Sequence, residues 1–443
     1  MLSEHANPLA ALGGVDAGGQ NVYVREVAGH LGRLGLEVDV FTRRDGLDTP
    51  EVTCLPGNVR VVTIAAGEPR FLTKDELWPL MDQFMAGVET FIKRQTLPYH
   101  ILHGNFWMSG WVALELGRRL NIPTVQIFHA MGLTKQRMQG GADTSPAERL
   151  EVERQVVSGV DRIIAQCPGE WRELVEDYGA DPESIAVIPS AVDVELFRPK
   201  PMAAAREMLG IPLEQAVVGY VGRLLPRKDV RNLLRAVALL RDTEPGLLVV
   251  IVGGETRDPD PQATPEIGEL QRLASELGVG DRIRFTGKRH SEELADYYSA
   301  CNLLVTTPWY EPFGLTPLEA MACGRPVIGS QVGGIAFTVV DGETGLLVPP
   351  KDPASLGAAI TRLLHQPEEI ERMGRNARMR VESEFRWEVT ARRTFDLYSG
   401  LLKIRGSGAG SKIRDIVTSP VAVGSTGGSH RTASVAEVIH GQH

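Results

Sequence analysis

Short apolar, β-branched runs alternate along most of the chain with longer stretches whose apolar positions recur at helical spacing. This pattern predicts parallel strands covered by helices. In the first half the strand candidates are residues 37–42, 60–64, 101–103, 123–129, 162–167 and 185–188. After Val192 the text DVELFRPKP is polar, extended and proline-bearing. Beyond it a second series opens, with strands expected at 217–221, 247–252, 283–285, 303–306, 327–328 and 345–348. The expected fold class is α/β, with two doubly wound Rossmann-like domains at residues 1–195 and 196–384. In open α/β sheets ligands bind beyond the carboxyl ends of the strands, so two such domains should face each other across a cleft.

One irregularity stands at the start. The loop from Gly13 to Gly19 leads into a helix expected at 21–34, and such a loop normally leaves a buried strand. Only residues 1–6 precede it, so the first strand reads as truncated. The expectation is an apolar strand further upstream, or else a loosened first domain. At the other end, residues 405–443 are rich in Gly and Ser without periodicity and read as a disordered tail.

Composition narrows the function classes. With 443 residues, 43% of them hydrophobic and 23% charged, the chain is an ordinary globular protein with length for more than one core. A net charge of −9 argues against a general electrostatic grip on nucleic acid, so any anionic ligand must be held by local cations. Cys54, Cys167, Cys301 and Cys323 are widely spaced, which indicates neither a zinc site nor a disulfide framework. No run reaches the roughly 18 apolar residues of a spanning helix. These features together fit a cytoplasmic protein, as a monomer or homodimer.

Three segments carry chemistry. GGVDAGGQNVYVRE places Gly13, Gly14, Gly18 and Gly19 before an amphipathic helix, where backbone and helix N-terminus can approach an anion, although a tight turn would use the same glycines. It matches neither the dinucleotide fingerprint nor the P-loop. In VVGYVGRLLPRKD a strand ends at Gly222 and is followed by Arg223 and Lys228, two cations able to neutralise a diphosphate without metal, or simply a solvated face. PWYEPFGLTPLEAMACGRPVIGS sets Glu311 at the mouth of a helix and Glu319 inside it, where carboxylates can accept sugar and ribose hydroxyls.

The order and spacing of these segments, with VGG at 332–334 and DGETGLLV at 341–348, resemble the retaining nucleotide-sugar glycosyltransferases of family 4, which have the GT-B architecture. The resemblance covers about residues 3–402 and implies that a helix at 385–404 crosses back to the first domain. It implies a catalytic set of His129, Arg223, Lys228 and Glu311. Arg223 and Lys228 would bind the donor diphosphate, Glu311 the sugar hydroxyls, and His129 the sugar near the reaction centre. Gly18, Gly222, Arg289, Phe313, Gly314, Leu315 and Glu319 would complete donor binding, with Glu319 on the ribose.

Within the family, DAGGQNVYVRE, TRR, FWMSGW and DGETGLLV are most similar to the branch of the mycothiol-pathway inositol-phosphate N-acetylglucosaminyltransferase and sucrose-phosphate synthases. That likeness implies an acceptor side of Gly19, Asn21, Lys74 and Arg149, the last two for an acceptor phosphate. Two positions depart from the branch: Phe106 replaces an aromatic hydroxyl and Ala130 a threonine. The family's Lys-Gly is Lys228-Asp229 here, which sets a negative charge beside the diphosphate position.

The expected activity is metal-independent hexosyl transfer from a nucleoside diphosphate sugar, UDP-glucose ahead of GDP-mannose and UDP-N-acetylglucosamine, to a hydroxyl acceptor, a small sugar or polyol or a sugar or inositol phosphate. No cofactor, metal, nucleic-acid partner or transmembrane segment is implied. The rivals are a nucleotide-sugar epimerase or hydrolase on the same fold, which would turn over donor alone, and a non-catalytic sugar-nucleotide-binding protein. His103, Trp107, Trp111, Trp387, Tyr398 and Cys323 read as packing residues.

Overall fold

A computed structural model of the chain describes residues 1–10 and 18–406. Gly13 and Gly14 and the tail from residue 407 lie outside the described residues. In the first half the strands are β1 (Val38–Arg43), β2 (Val52–Leu55), β3 (Val59–Ile64), β4 (Leu102–Asn105), β5 (Thr124–Ile127), β6 (Arg162–Ala165) and β7 (Ile185–Val187). They are ordered β2-β3-β1 and β4-β5-β6-β7. Leu2 joins the two groups, pairing in parallel with Phe41 of β1 and Gly104 of β4. Its N–H donates to the His103 carbonyl at 2.8 Å, its carbonyl accepts from Asn105 N–H at 2.9 Å, and Phe41 exchanges bonds with Met1 and Ser3 at 2.9 Å. The stub expected from the sequence therefore occupies the middle of the sheet, with Leu2 wholly buried.

The second half folds around β8 (Val217–Val221), β9 (Leu248–Val252), β10 (Ile283–Gly287), β11 (Leu303–Thr306), β12 (Val327–Ser330) and β13 (Gly345–Val348). These make one parallel sheet of order β10-β9-β8-β11-β12-β13. Every residue of β9, β11 and β12 is buried, as befits strands covered on both faces. Both halves reverse strand order once: beside the Leu2 segment in the first, and between β8 and β11 in the second. Those reversals open the crevices where ligands bind in such sheets.

The sheet of the first half is not wholly parallel. β2, which the pattern did not indicate, runs antiparallel at its edge beside β3. The final helix, Trp387–Gly406, packs against the helix Gly19–Arg33, with Trp387 edge-on to Tyr23 and Tyr398 bonded to His103 at 2.5 Å. Trp107 and Trp111 pack around Trp78.

Candidate active site

The second half's crevice gathers the cations and carboxylates that the sequence singled out. β8 delivers Arg223 through Lys228, and β11 delivers residues 307–314 directly opposite. Lys228 Nζ bonds Glu311 Oε2, and Arg227 stands 3.8 Å from the same oxygen while stacking over the Tyr310 ring. Burial would raise the Glu311 pKa, but Lys228 and Arg227 more than offset it and hold the group below the usual range. Burial pushes the Lys228 ammonium down against the lift that Glu311 gives it. Arg223 stands exposed at the rim.

Glu311 is held from behind by the segment 332–334. Gly334 N–H donates to the Glu311 carbonyl at 3.0 Å, and a Cβ at Gly333 would fall 2.1 Å from that oxygen. Gly314, at φ 92°, caps the helix Leu315–Ala322, a conformation that a side chain would strain. Glu319, inside that helix, accepts from the buried Tyr298 hydroxyl at 2.6 Å, and desolvation pushes its carboxyl up to about 7. Asp229 also has a left-handed backbone, φ 49°, ahead of the helix Val230–Leu239.

Facing this crevice are the carboxyl ends of the Leu2 segment, β4 and β5. The two halves meet where a Cβ at Gly19 would lie 3.2 Å from Leu315, where Gln139 Nε2 donates to Tyr310 at 2.6 Å, and where Cys167 Sγ lies 3.8 Å from the Pro312 carbonyl. Two helix N-termini, at Gly19 and Leu315, thus stand at this contact between the halves. His129 follows β5 at φ 61°, with Nε2 3.2 Å from Asn105 Oδ1 and its ring edge-on to Tyr23. Desolvation, with His5 nearby, pushes its imidazole down to about 3, so it is neutral at physiological pH.

Several singled-out residues are otherwise engaged. Arg289 bonds the Tyr297 hydroxyl at 2.7 Å and the Arg257 carbonyl at 2.6 Å, at the end of β10. Asn21 is buried, taking the Gly18 N–H and donating to the Asn7 carbonyl, both at 3.0 Å. Arg149 is buried against Glu153 at 2.8 Å. Lys74 lies on a short turn with Asp75, whose carboxylate takes the Thr144 hydroxyl at 2.6 Å. Gly222 donates to the Val252 carbonyl at 3.0 Å and Phe313 is buried beneath the loop. The sequence reading missed Arg227, Tyr310, Tyr298, Asn105 and the pair Glu4 and His5. The proximity of Arg227 to Lys228, and the place of Glu4 and His5 at the end of the first strand, were the available signals.

Among the described residues no helix is long and apolar enough to cross a membrane. Residues 202–380 match the family model described as glycosyl transferases group 1, and residues 18–191 match the glycosyl transferase 4-like domain. The chain is 39% identical over 406 residues to D-inositol 3-phosphate glycosyltransferase 2 of Catenulispora acidiphila, covering 90% of this chain and 94% of that one. It is 36% identical over 405 residues to the D-inositol 3-phosphate glycosyltransferase of Corynebacterium glutamicum, covering 90% and 96%. Among solved structures it is similar to a sucrose-phosphate synthase from Thermosynechococcus elongatus, at 35% identity and a TM-score of 0.82, covering 91% and 98%.

Proposed function

The chain belongs to the glycosyl transferases group 1 family, and on that premise we propose that it moves a hexosyl group from a nucleoside diphosphate sugar, UDP-glucose first, to a hydroxyl of a small sugar or polyol, with retention at the anomeric carbon. The donor lies in the crevice between β8 and β11 and the acceptor over the ends of the Leu2 segment, β4 and β5. The observation that supports this most directly is the Lys228–Glu311 pair, flanked by Arg227, at the mouth of the helix Leu315–Ala322. A diphosphate competes for Lys228 and so frees Glu311 to accept hydroxyls of the sugar.

As the anomeric C–O bond breaks, negative charge grows on the departing diphosphate. Lys228, Arg223 and the helix N-terminus stabilise it there. The acceptor hydroxyl attacks the same face, and its proton passes to an oxygen of the leaving phosphate. Neutral His129 orients the sugar as a hydrogen-bond partner, and Glu319 takes the ribose hydroxyls while Tyr298 fixes its second oxygen.

Calorimetric titration with UDP-glucose, GDP-mannose and UDP-N-acetylglucosamine tests the donor; UDP-glucose is expected to bind at least about tenfold tighter than GDP-mannose, a difference of about 1.4 kcal/mol. The reverse order would move the donor to the guanine series. Transfer should persist in EDTA, and a strict need for manganese or magnesium would refute the charge assignment to Lys228 and Arg223. UDP release at equal rates with and without acceptor would return the chain to the hydrolase or epimerase reading.

A further inference from the structure

The relatives above are named for a phosphorylated inositol, yet the first half's crevice is built differently from a phosphate site. Its strand-order reversal falls between the Leu2 segment and β4, so the ligand position lies over Glu4 and His5 on one side and Phe106 on the other. Glu4 is 1% exposed. One of its carboxylate oxygens takes the Ser109 hydroxyl, and the other lies 2.7 Å from His5 Nδ1. The His5 ring meets Phe106 edge-on at 4.9 Å. The Glu4 carboxylate at Nδ1 fixes the ring and leaves Nε2 as the ring nitrogen that can meet a ligand hydroxyl.

Two nearby cations, Arg149 and Lys135, already face carboxylates. Arg149 is 3% exposed beneath Phe106, its guanidinium 5.2 Å from the ring centroid. It donates to Glu153 at 2.8 Å, to the Ala130 carbonyl at 2.7 Å and to Ser145 Oγ at 3.2 Å. Glu153 is itself fixed by the Gly132 N–H at 3.0 Å and the Tyr178 hydroxyl at 2.5 Å. Lys135, which shares Ser145 with Arg149, is paired with Asp143 at 2.8 Å. A phosphate would have to compete with the Ser145 hydroxyl and the Ala130 carbonyl for the Nη groups of Arg149, whose charge the wholly buried Glu153 already offsets, and would find no hydroxyl on Phe106 or Ala130.

We propose that the crevice between the Leu2 segment and β4 is an acceptor site for an unphosphorylated polyol or sugar, in which His5, oriented by Glu4, accepts a hydrogen bond from an acceptor hydroxyl. This rests on the glycosyltransferase reading and specifies its acceptor. His5 is a binding residue and Glu4 a positioning one.

The experiment uses the full chain. UDP binding is measured first by calorimetry, so failure of the donor assignment is read separately. Saturation-transfer NMR then follows three pairs of probes on the UDP-loaded protein: myo-inositol and D-inositol 3-phosphate, glucose and glucose 6-phosphate, mannose and mannose 6-phosphate. The expected result is binding of at least one neutral member, about tenfold or more tighter than its phosphate ester. That binding should be lost in His5→Phe, partly kept in His5→Gln, which retains an acceptor atom, and weakened in Glu4→Gln, with UDP affinity unchanged in each. A phosphate ester that binds as tightly as its parent or more tightly overturns the proposal. So does the absence of any neutral binding, or binding indifferent to His5.

Discussion

At the level of single residues, charge and backbone strain around Lys228 set what the donor meets. Removing Lys228 takes away a charge-assisted donor to the leaving group and strands Glu311 beside Arg227. Lys228→Ala and Arg223→Ala are each expected to lower turnover on UDP-glucose by about 100-fold or more, read by UDP release; rates within about threefold of the parent would remove them from the mechanism. Asp229 is a different case. Its left-handed backbone suits glycine, and it directly follows Lys228 in the chain, so Asp229→Gly should lower the donor KM while preserving the fold. Glu319 gives the pH dependence. Its carboxyl titrates near 7, so the charged form that accepts ribose hydroxyls rises between pH 6 and 8, and donor affinity should rise with it. Stability moves the other way: the unfolded chain ionises from about pH 4.5 while folded Glu319 stays protonated, so its contribution falls between about pH 4.5 and 7 and is constant above that. Glu319→Gln should flatten both trends, measured as UDP affinity between about pH 6 and 8 and as melting temperature between about pH 4.5 and 7. An unchanged slope in the variant would place the titration elsewhere.

At the level of elements, the strands β8, β11 and β13 coincide with the apolar runs that predicted them, because a strand buried on both faces leaves an uninterrupted signal. β2 escaped notice because its residues alternate between exposed and half-buried at a sheet edge, with no apolar run to mark them. The motif residues at 311–319 were legible for a similar reason, since a glycine and a proline punctuate a helix start. What the sequence could not express was contact across the chain: the pairing of Glu311 with Lys228 and the anchoring of Glu319 by Tyr298. VGG at 332–334 was legible only as a motif, and its physical role is to let two backbones touch. A Cβ at Gly334 would fall 2.3 Å from the Phe313 carbonyl oxygen. Gly334→Ala should therefore push the Glu311 loop outward and lower kcat about tenfold or more, with the melting temperature separating loop displacement from global loss. Unchanged kcat would show that the loop position is not coupled to the chemistry.

For the whole molecule, the chain crosses between its halves twice, and the crossings are tied together where Val192 N–H donates to the Phe385 carbonyl at 2.9 Å and Val192 pairs with Arg386. Away from this pivot, Gln139 reaches from the first half to Tyr310, the residue preceding Glu311, while Arg227 stacks on the same ring. A contact that links one half to the loop carrying Glu311 can report closure to the donor, and closure keeps water from the anomeric carbon. If Gln139 and Tyr310 act as a closure contact, Gln139→Ala and Tyr310→Phe should each raise the ratio of UDP-glucose hydrolysis to transfer by a few-fold. The double variant should do no more than either alone, since each single change already breaks the same bond. Radiolabelled donor, with free glucose and glycoside counted separately, gives that ratio directly. Additive effects in the double variant would mean that the two side chains act independently, and an unchanged ratio would mean that the cleft excludes water without this bridge.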